Sequence, residues 1–304
     1  MSTVPVDDVT DTARWVAYFR ALESERTDAL FHDHLARRLA GERGQKIAEG
    51  LPKGPLSWSI AIRTKVFDEL ILESIRTQKI RCVVNLAAGL DARPYRLELP
   101  PDLRWVETDL PGLLRWKEQV LASERPACHV ERVPLDLANA QERGALLGRL
   151  GVDGSPTLVV TEGLLVYLDE ATVASLADDL RASFPTALWL LENVTPAVLA
   201  RMKRNWDKTL RPADAAMKFA PRDGLGFFSA RGWTKVAEKS LLDEAERLGR
   251  EMRIVATIRA LSRWLPILGT AYARRQAKFR DAVTYALLQP IRSAPRPASS
   301  EDLG

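Results

Sequence analysis

The sequence predicts an α/β protein built on a doubly wound, mostly parallel sheet. Three observations carry that prediction. From residue 81 onward short apolar runs recur, with helical stretches between them. The first of these runs breaks at a glycine, and acids follow several of the others. No apolar run reaches the roughly 18 residues that a membrane span needs. The 304-residue chain is 46% hydrophobic and 28% charged, the balance of a globular protein.

The first 80 residues read as helices. Asp11–Ser24, "DTARWVAYFRALES", has apolar residues near helical spacing. Asp28–Gly41, "DALFHDHLARRLAG", is amphipathic and closes on Gly41 as a C-cap. A turn-rich link follows. Ser57–Thr77 then repeats apolar residues at Ile60, Ile62, Val66, Phe67, Leu70, Ile71 and Ile75, which predicts one long helix with a wide buried face.

Strands are expected in "RCVVNLAAG", "DLRWVETDLP", "ACHVERVPLDL", the start of "PTLVVTEGLLVYL" and "ALWLLENV". The helices between them are "PGLLRWKEQVLAS", "AQERGALLGRLG" and "DEATVASLADDLRASF". Such alternation implies right-handed crossovers. Thr195–Trp233 reads as mostly helical, "WTKVAEKS" as a strand, Ser262–Phe279 as part of a helical insertion and "DAVTYALLQP" as a last strand. The expected organisation is a helical lid over 1–80 and a ligand-binding domain over 81–290. That domain would carry insertions at about 195–230 and 241–278, and a disordered tail would follow over 291–304.

Composition narrows the function. The 44 basic and 40 acidic residues leave a net charge of +4, with arginines dispersed rather than striped, so neither a nucleic acid nor a membrane surface is the expected partner. Cys82 and Cys128 lack metal spacing and sit in strand-like runs, as buried free thiols would in a reducing cytoplasm. The N-terminus is acidic and polar, unlike a signal peptide. A cytoplasmic location is expected.

Open parallel sheets bind ligands at the carboxyl ends of their strands. Those ends carry Ala87, Ala88, Gly89 and Asp91, then Asp109 and Leu110, then Asp136 and Leu137, then Glu162. An acid twenty residues beyond the glycine turn can accept hydrogen bonds from both ribose hydroxyls, and Asp109 has that spacing. Asp136 beside Leu137 suits an adenine. Each acid also has a plainer reading: Asp109 and Asp136 as helix N-caps, and Glu162 as a structural acid paired with an arginine. The run lacks G-x-G-x-x-G, and Ala87 and Ala88 leave little room for a pyrophosphate. A ligand without phosphate, such as S-adenosylmethionine, fits better than a nicotinamide dinucleotide.

The stretch "VVNLAAGLDARPYRL", with Gly89, Leu90, Asp91, Arg93 and Arg96, resembles the first motif of the leucine carboxyl methyltransferase family, which includes tetracenomycin-type polyketide carboxyl methyltransferases. The resemblance extends through "WVETDLP", "PLDL", "TEGLLVYL" and "FFSARGW", over roughly residues 15–240. It implies a Rossmann-like class I methyltransferase sheet of seven strands, the last antiparallel, with N-terminal helices and a helical cap. It also implies S-adenosylmethionine as cofactor. Arg63 would clamp the methionine carboxylate, as an Arg fork does well. Ala87 and Gly89 would let the backbone approach that moiety. Asp109 and Leu110 would hold the ribose, Asp136 and Leu137 the adenine, and Glu162 would face the amino group or line the reaction chamber. Arg93 and Arg96 are expected to brace the loop, one of them through Asp91.

No catalytic residue is assigned. His34 stands where the family usually has a proline. With His32 it would point about 200° apart on a helix, which disfavours a metal site. No metal is expected; one of the two could act as a base under a lid, or both could simply lie at the surface. Three histidines in all leave few bases, and a carboxylate acceptor needs none. The expected reaction is therefore O-methylation of a small-molecule carboxyl group. A phenol or alcohol acceptor, a nicotinamide-dependent reductase and a non-catalytic adenosyl-binding protein are the alternatives. Tyr167, Trp206 and Phe227 are candidate acceptor-pocket residues, with core packing the equal alternative for each. Oligomeric state leaves no trace in the sequence.

Overall fold

The computed structural model describes residues 10–51, 55–210, 216–250 and 280–291; side chains at 55–56 and 205–210 lie outside that description. Seven strands form a single sheet in the order β3-β2-β1-β4-β5-β7-β6. They are β1 Cys82–Leu86, β2 Arg104–Asp109, β3 His129–Pro134, β4 Thr157–Thr161, β5 Leu188–Val194, β6 Trp233–Ser240 and β7 Val283–Pro290. β1 to β5 are parallel, and β7 runs antiparallel to both β5 and β6. Every expected strand is present, and the last one is the antiparallel one.

The strand order explains the apolar runs. β1 and β4 lie in the middle of the sheet and every residue of both is buried. Helices cover both faces, so side chains pointing either way must be apolar. On one face lies α3 (Pro55–Gln78), whose Ile62, Val66, Phe67 and Ile71 are fully buried against Val83, Trp105, Val160 and Leu190. On the other lie α6 (Ala140–Gly151) and α7 (Glu170–Ser183), packed on Val84, Val159, Trp189 and Leu191. Trp189 and Trp233 meet edge-on at 5.1 Å, and each indole N–H finds a buried acceptor, Thr161 Oγ1 at 2.9 Å and the Ala177 carbonyl at 3.1 Å.

A third apolar cluster sits beyond the carboxyl ends of the strands. It joins α1 (Thr10–Ser24) and α2 (Ala36–Gly50) to the loop after β1 and to α5 (Pro111–Leu121). α1 and α2 cross so closely that a Cβ at Gly44 would come within 2.6 Å of the Arg14 carbonyl. Arg43 pairs with the buried Asp11 across the same crossing.

Three expectations need correction. The segment from Asp28 is not helical until Ala36, because Asp33 is pulled inward to Arg20 while His32 and His34 stay exposed in the connecting loop. Gly41, at φ +61°, does break the helix, but the chain resumes helical turns to Gly50. Residues 195–233 hold α8 (Pro196–Leu210) and the short α9 (Gly226–Ser229), but 216–221 form neither helix nor strand and are tied to Val166, whose carbonyl accepts from the Lys218 and Phe219 N–H groups. Of the second insertion, α10 (Leu241–Arg247) is described; 251–279 and the tail from 292 lie outside the described residues. Among the described residues no helix is long and apolar enough to cross a membrane.

Candidate cofactor and reaction site

The loops after β1 to β4 and the inner face of α1 enclose a cavity of about 450 Å³. That volume lies within the roughly 300–1,000 Å³ typical of small-molecule clefts. Arg63, Ala87, Gly89, Asp109, Leu110, Asp136, Leu137, Glu162 and Tyr167 all line it.

The loop after β1 is held in an uncommon conformation. Ala87 and Gly89 both have left-handed φ, +51° and +54°. For a residue with a Cβ such a conformation costs about 1–2 kcal/mol, and such strain gathers at ligand-holding loops. The Ala88 N–H donates to the Thr108 carbonyl at 2.9 Å, and the Gly89 N–H to Asp109 Oδ2 at 2.7 Å. A Cβ at Gly89 would come within 3.3 Å of Ala13 on α1. The glycine is thus required twice, for its φ and for the close approach of α1.

Asp109 is not an N-cap: α5 starts at Pro111 with no side-chain cap. Its second oxygen accepts from Leu110 N–H at 2.7 Å. Burial raises the Asp109 pKa above the ordinary value, opposed by these two backbone donors and by the charge of Lys117. Each carboxylate oxygen keeps a lone pair for a further donor from the cavity. Asp136 is exposed and accepts from Ala138 N–H at 2.9 Å, while Asn139 caps α6 by accepting from Glu142 N–H. The capping alternatives for both aspartates are therefore set aside. Leu137, 6% exposed, belongs to the core and presents one edge to the cavity.

Glu162 is both paired and cavity-lining. Arg63 Nε donates to its Oε1 at 2.9 Å, and Arg93 Nη1 lies 2.7 Å from its Oε2. Arg63 Nη1 reaches a second acid, Glu192 on β5, at 3.1 Å. Beyond Arg93 the alternation continues: Arg93 to Asp91 and Asp68, Asp68 to Arg96, and Asp33 between Arg96 and Arg20. This ladder braces the loop after β1, with Arg93 holding Asp91 as the sequence reading expects. Asp91 also accepts from Asn85 Nδ2, and the neighbouring guanidinium and ammonium groups bring its pKa down to about 2 against the cost of burial. The Arg63 pKa is raised by its two carboxylates, which outweigh its burial.

Other candidates fall elsewhere. Phe227 packs on Phe219 and Phe228 with its ring under Arg231, and it is not on the cavity wall. Its neighbour Phe219 in the segment 216–221 holds it, partly buried, against the core. The Trp206 side chain lies outside the described residues. His32 and His34 are exposed and away from the cavity, and His129 is exposed on the edge strand β3. Among the described residues no cluster of three His, Cys, Asp or Glu could hold a metal. The sequence reading missed Glu192, Lys117 and the α1 wall of Thr12, Ala13 and Val16. An acid in the otherwise apolar "ALWLLENV" was the available signal for Glu192.

The leucine carboxyl methyltransferase profile matches residues 13–181, more than half of the chain and all of the cavity loops. The chain belongs to the leucine carboxyl methyltransferase family. Relatives in that family include proteins named "Putative S-adenosyl-L-methionine-dependent methyltransferase" from Streptomyces coelicolor and Streptomyces avermitilis. The first is 33% identical over 253 residues, covering 79% of this chain and 88% of the relative. The second is 32% identical over 252 residues, covering 79% and 87%. A crystal structure of a DUF574 family protein from Streptomyces avermitilis superposes with a TM-score of 0.61 at 12% identity, covering 92% of this chain and 97% of that one, and so shares the fold. Family membership makes the chain an S-adenosylmethionine-dependent methyltransferase and removes the reductase and non-catalytic readings. The cavity fits the methyl donor: a tight glycine turn, the Asp109 carboxylate with spare acceptor capacity, and a guanidinium beside Glu162.

Proposed function

We propose that this methyltransferase acts on oxygen, and that its acceptor is a carboxylate of a small molecule. The observation that carries the reading is the run of groups along one cavity wall. Arg63 of α3 meets Glu162 after β4, Gly89 follows β1, Asp109 ends β2, and Asp136 with Leu137 follows β3. Arg63 and Glu162 would bind the amino-acid end, Asp109 the ribose hydroxyls, and Asp136 and Leu137 the adenine. When bound, S-adenosylmethionine supplies a methyl group already activated by its sulfonium.

The chain then has to orient the acceptor and exclude water. α1 and α2 form the lid that does so, with Thr12 and Val16 on the inner wall. Tyr167 is the tyrosine among the residues that line the cavity. Burial pushes its pKa up to about 12, so it stays protonated at neutral pH and can donate a hydrogen bond but not accept a proton. With His32 and His34 exposed, an acceptor that arrives ionised suits the chamber. A neutral hydroxyl acceptor is the second reading. One observation favours it: the lining arginines Arg20, Arg63, Arg93 and Arg96 are each already paired with an acid.

Incubating the enzyme with methyl-labelled S-adenosylmethionine and a cell extract decides between the two. A product whose label is released by mild base is an ester, as the carboxylate reading expects. A base-stable product is not an ester and overturns it.

A further inference from the structure

We propose that Glu192 is a positioning residue for the cofactor's amino-acid end: from β5 it fixes the Arg63 guanidinium through Nη1, so that the Nη2 edge is aimed at the incoming carboxylate. The inference rests on the assignment of the cavity to S-adenosylmethionine.

Glu192 does not line the cavity. It lies opposite Tyr285 in the β5–β7 register, and Tyr285 packs edge-on against Phe67 of α3. An apolar side chain would suit that apolar neighbourhood, and a buried carboxylate is costly there unless it is paired. Stabilising Arg63 in the free protein does not require it, because Glu162 already accepts from Arg63 Nε.

The two acids reach Arg63 through different nitrogens, Nε for Glu162 and Nη1 for Glu192. They are simultaneous partners rather than alternatives. Glu162 is also committed on both oxygens, one to Arg63 and one to Arg93. Each of those oxygens keeps a lone pair, so Glu162 can accept an ammonium without releasing either guanidinium. Arg63 is held on two sides, by Glu162 at Nε and by Glu192 at Nη1. A guanidinium carries five N–H donors, and Glu192 takes one of them, leaving the Nη2 edge for a carboxylate. Without Glu192 the guanidinium is held from the Glu162 side alone, and the edge that meets the carboxylate is free to swing about that bond.

The test is calorimetric titration of the full chain with S-adenosylhomocysteine and with 5′-methylthioadenosine, which keeps the nucleoside and lacks the amino-acid end. Glu192→Gln keeps the shape and removes the charge. It should weaken S-adenosylhomocysteine about tenfold or more, the scale of one charge-assisted hydrogen bond, and leave methylthioadenosine within twofold. Glu192→Asp should recover part of the loss. A merely structural role would weaken both ligands together, and that result, or an unchanged ratio of the two affinities, overturns the inference. If Glu192→Gln does not fold, the same ratio in Glu192→Asp decides: a fall of severalfold supports the proposal, and no change overturns it. Wild-type protein that bound neither ligand would instead overturn the assignment of the cavity, and this inference with it.

Discussion

Replacing Asp109 by alanine separates the two things this carboxylate does. In the free protein it accepts from the Gly89 and Leu110 N–H groups, each at 2.7 Å. Removing it leaves both donors to whatever water the cavity supplies. An orphaned buried donor costs about 1–3 kcal/mol; because the cavity wall is wet, the low end applies, and the loop after β1 should lose about 1–2 kcal/mol. For a chain of this size that lowers Tm by roughly 2–4 °C per kcal/mol. The effect on ligand should be larger. Two ribose hydroxyls donating to an ionised carboxylate contribute roughly 1.5 kcal/mol each at the conservative end. Losing about 3 kcal/mol weakens binding on the order of a hundredfold. Calorimetry with S-adenosylhomocysteine reads the affinity, and thermal unfolding without ligand reads the loop. A variant with lowered Tm but affinity within threefold of wild type would refute the ribose assignment and leave Asp109 as a loop brace.

Further outcomes follow from other contacts. Asp91 has its pKa brought down to about 2, so its stabilisation is present above its ordinary value of 3.8 and is lost as pH falls toward 2. By linkage it contributes about 2.5 kcal/mol at neutral pH, of which about 1 kcal/mol is gone by pH 3; urea midpoints for Asp91→Asn should lie below wild type at pH 7 and converge toward it by pH 3, and parallel pH curves would contradict this. Gly44→Ala places a Cβ within 2.6 Å of the Arg14 carbonyl, so the α1–α2 crossing must open. Overpacking of that kind costs about 1–3 kcal/mol, and because Ala13 and Val16 of α1 line the cavity, S-adenosylhomocysteine should bind more weakly as well; unchanged affinity would detach the lid from the site. Burial raises both Cys82 and Cys128 to about 11. Iodoacetamide at pH 8 should therefore label neither in the native protein and both in urea, as mass spectrometry would show.

The sheet was legible because its strands obey one simple rule. A strand covered on both faces must be apolar throughout, and β1 and β4 read that way directly. The strand-end acids were legible for a related reason, since a carboxylate at the edge of such a run needs a partner. What the sequence withheld was set by tertiary packing. Nothing local distinguishes Asp109 bonding Gly89 across the loop from Asp109 capping α5; only the register of β1 beside β2 brings Gly89 to it. The Asp28–Gly41 segment has a helical pattern, yet the Arg20–Asp33 ion pair keeps its first half in a non-helical loop. Phe227 and Tyr167 look alike as aromatic candidates, and only the chain path at 216–221 sends the first into the core and leaves the second at the cavity. Glu192 was passed over because β5 was read as an apolar strand, when the acid within it was the informative residue.

The central claim is the placement of the methyl donor, and a co-crystal structure with S-adenosylhomocysteine tests it most directly. The ribose hydroxyls should lie on Asp109, the adenine beside Asp136 and Leu137, the carboxylate on Arg63 and the ammonium on Glu162, with Glu192 still bonded to Arg63. A ligand lying in the reverse direction, or bound away from the loop at Gly89, would contradict it.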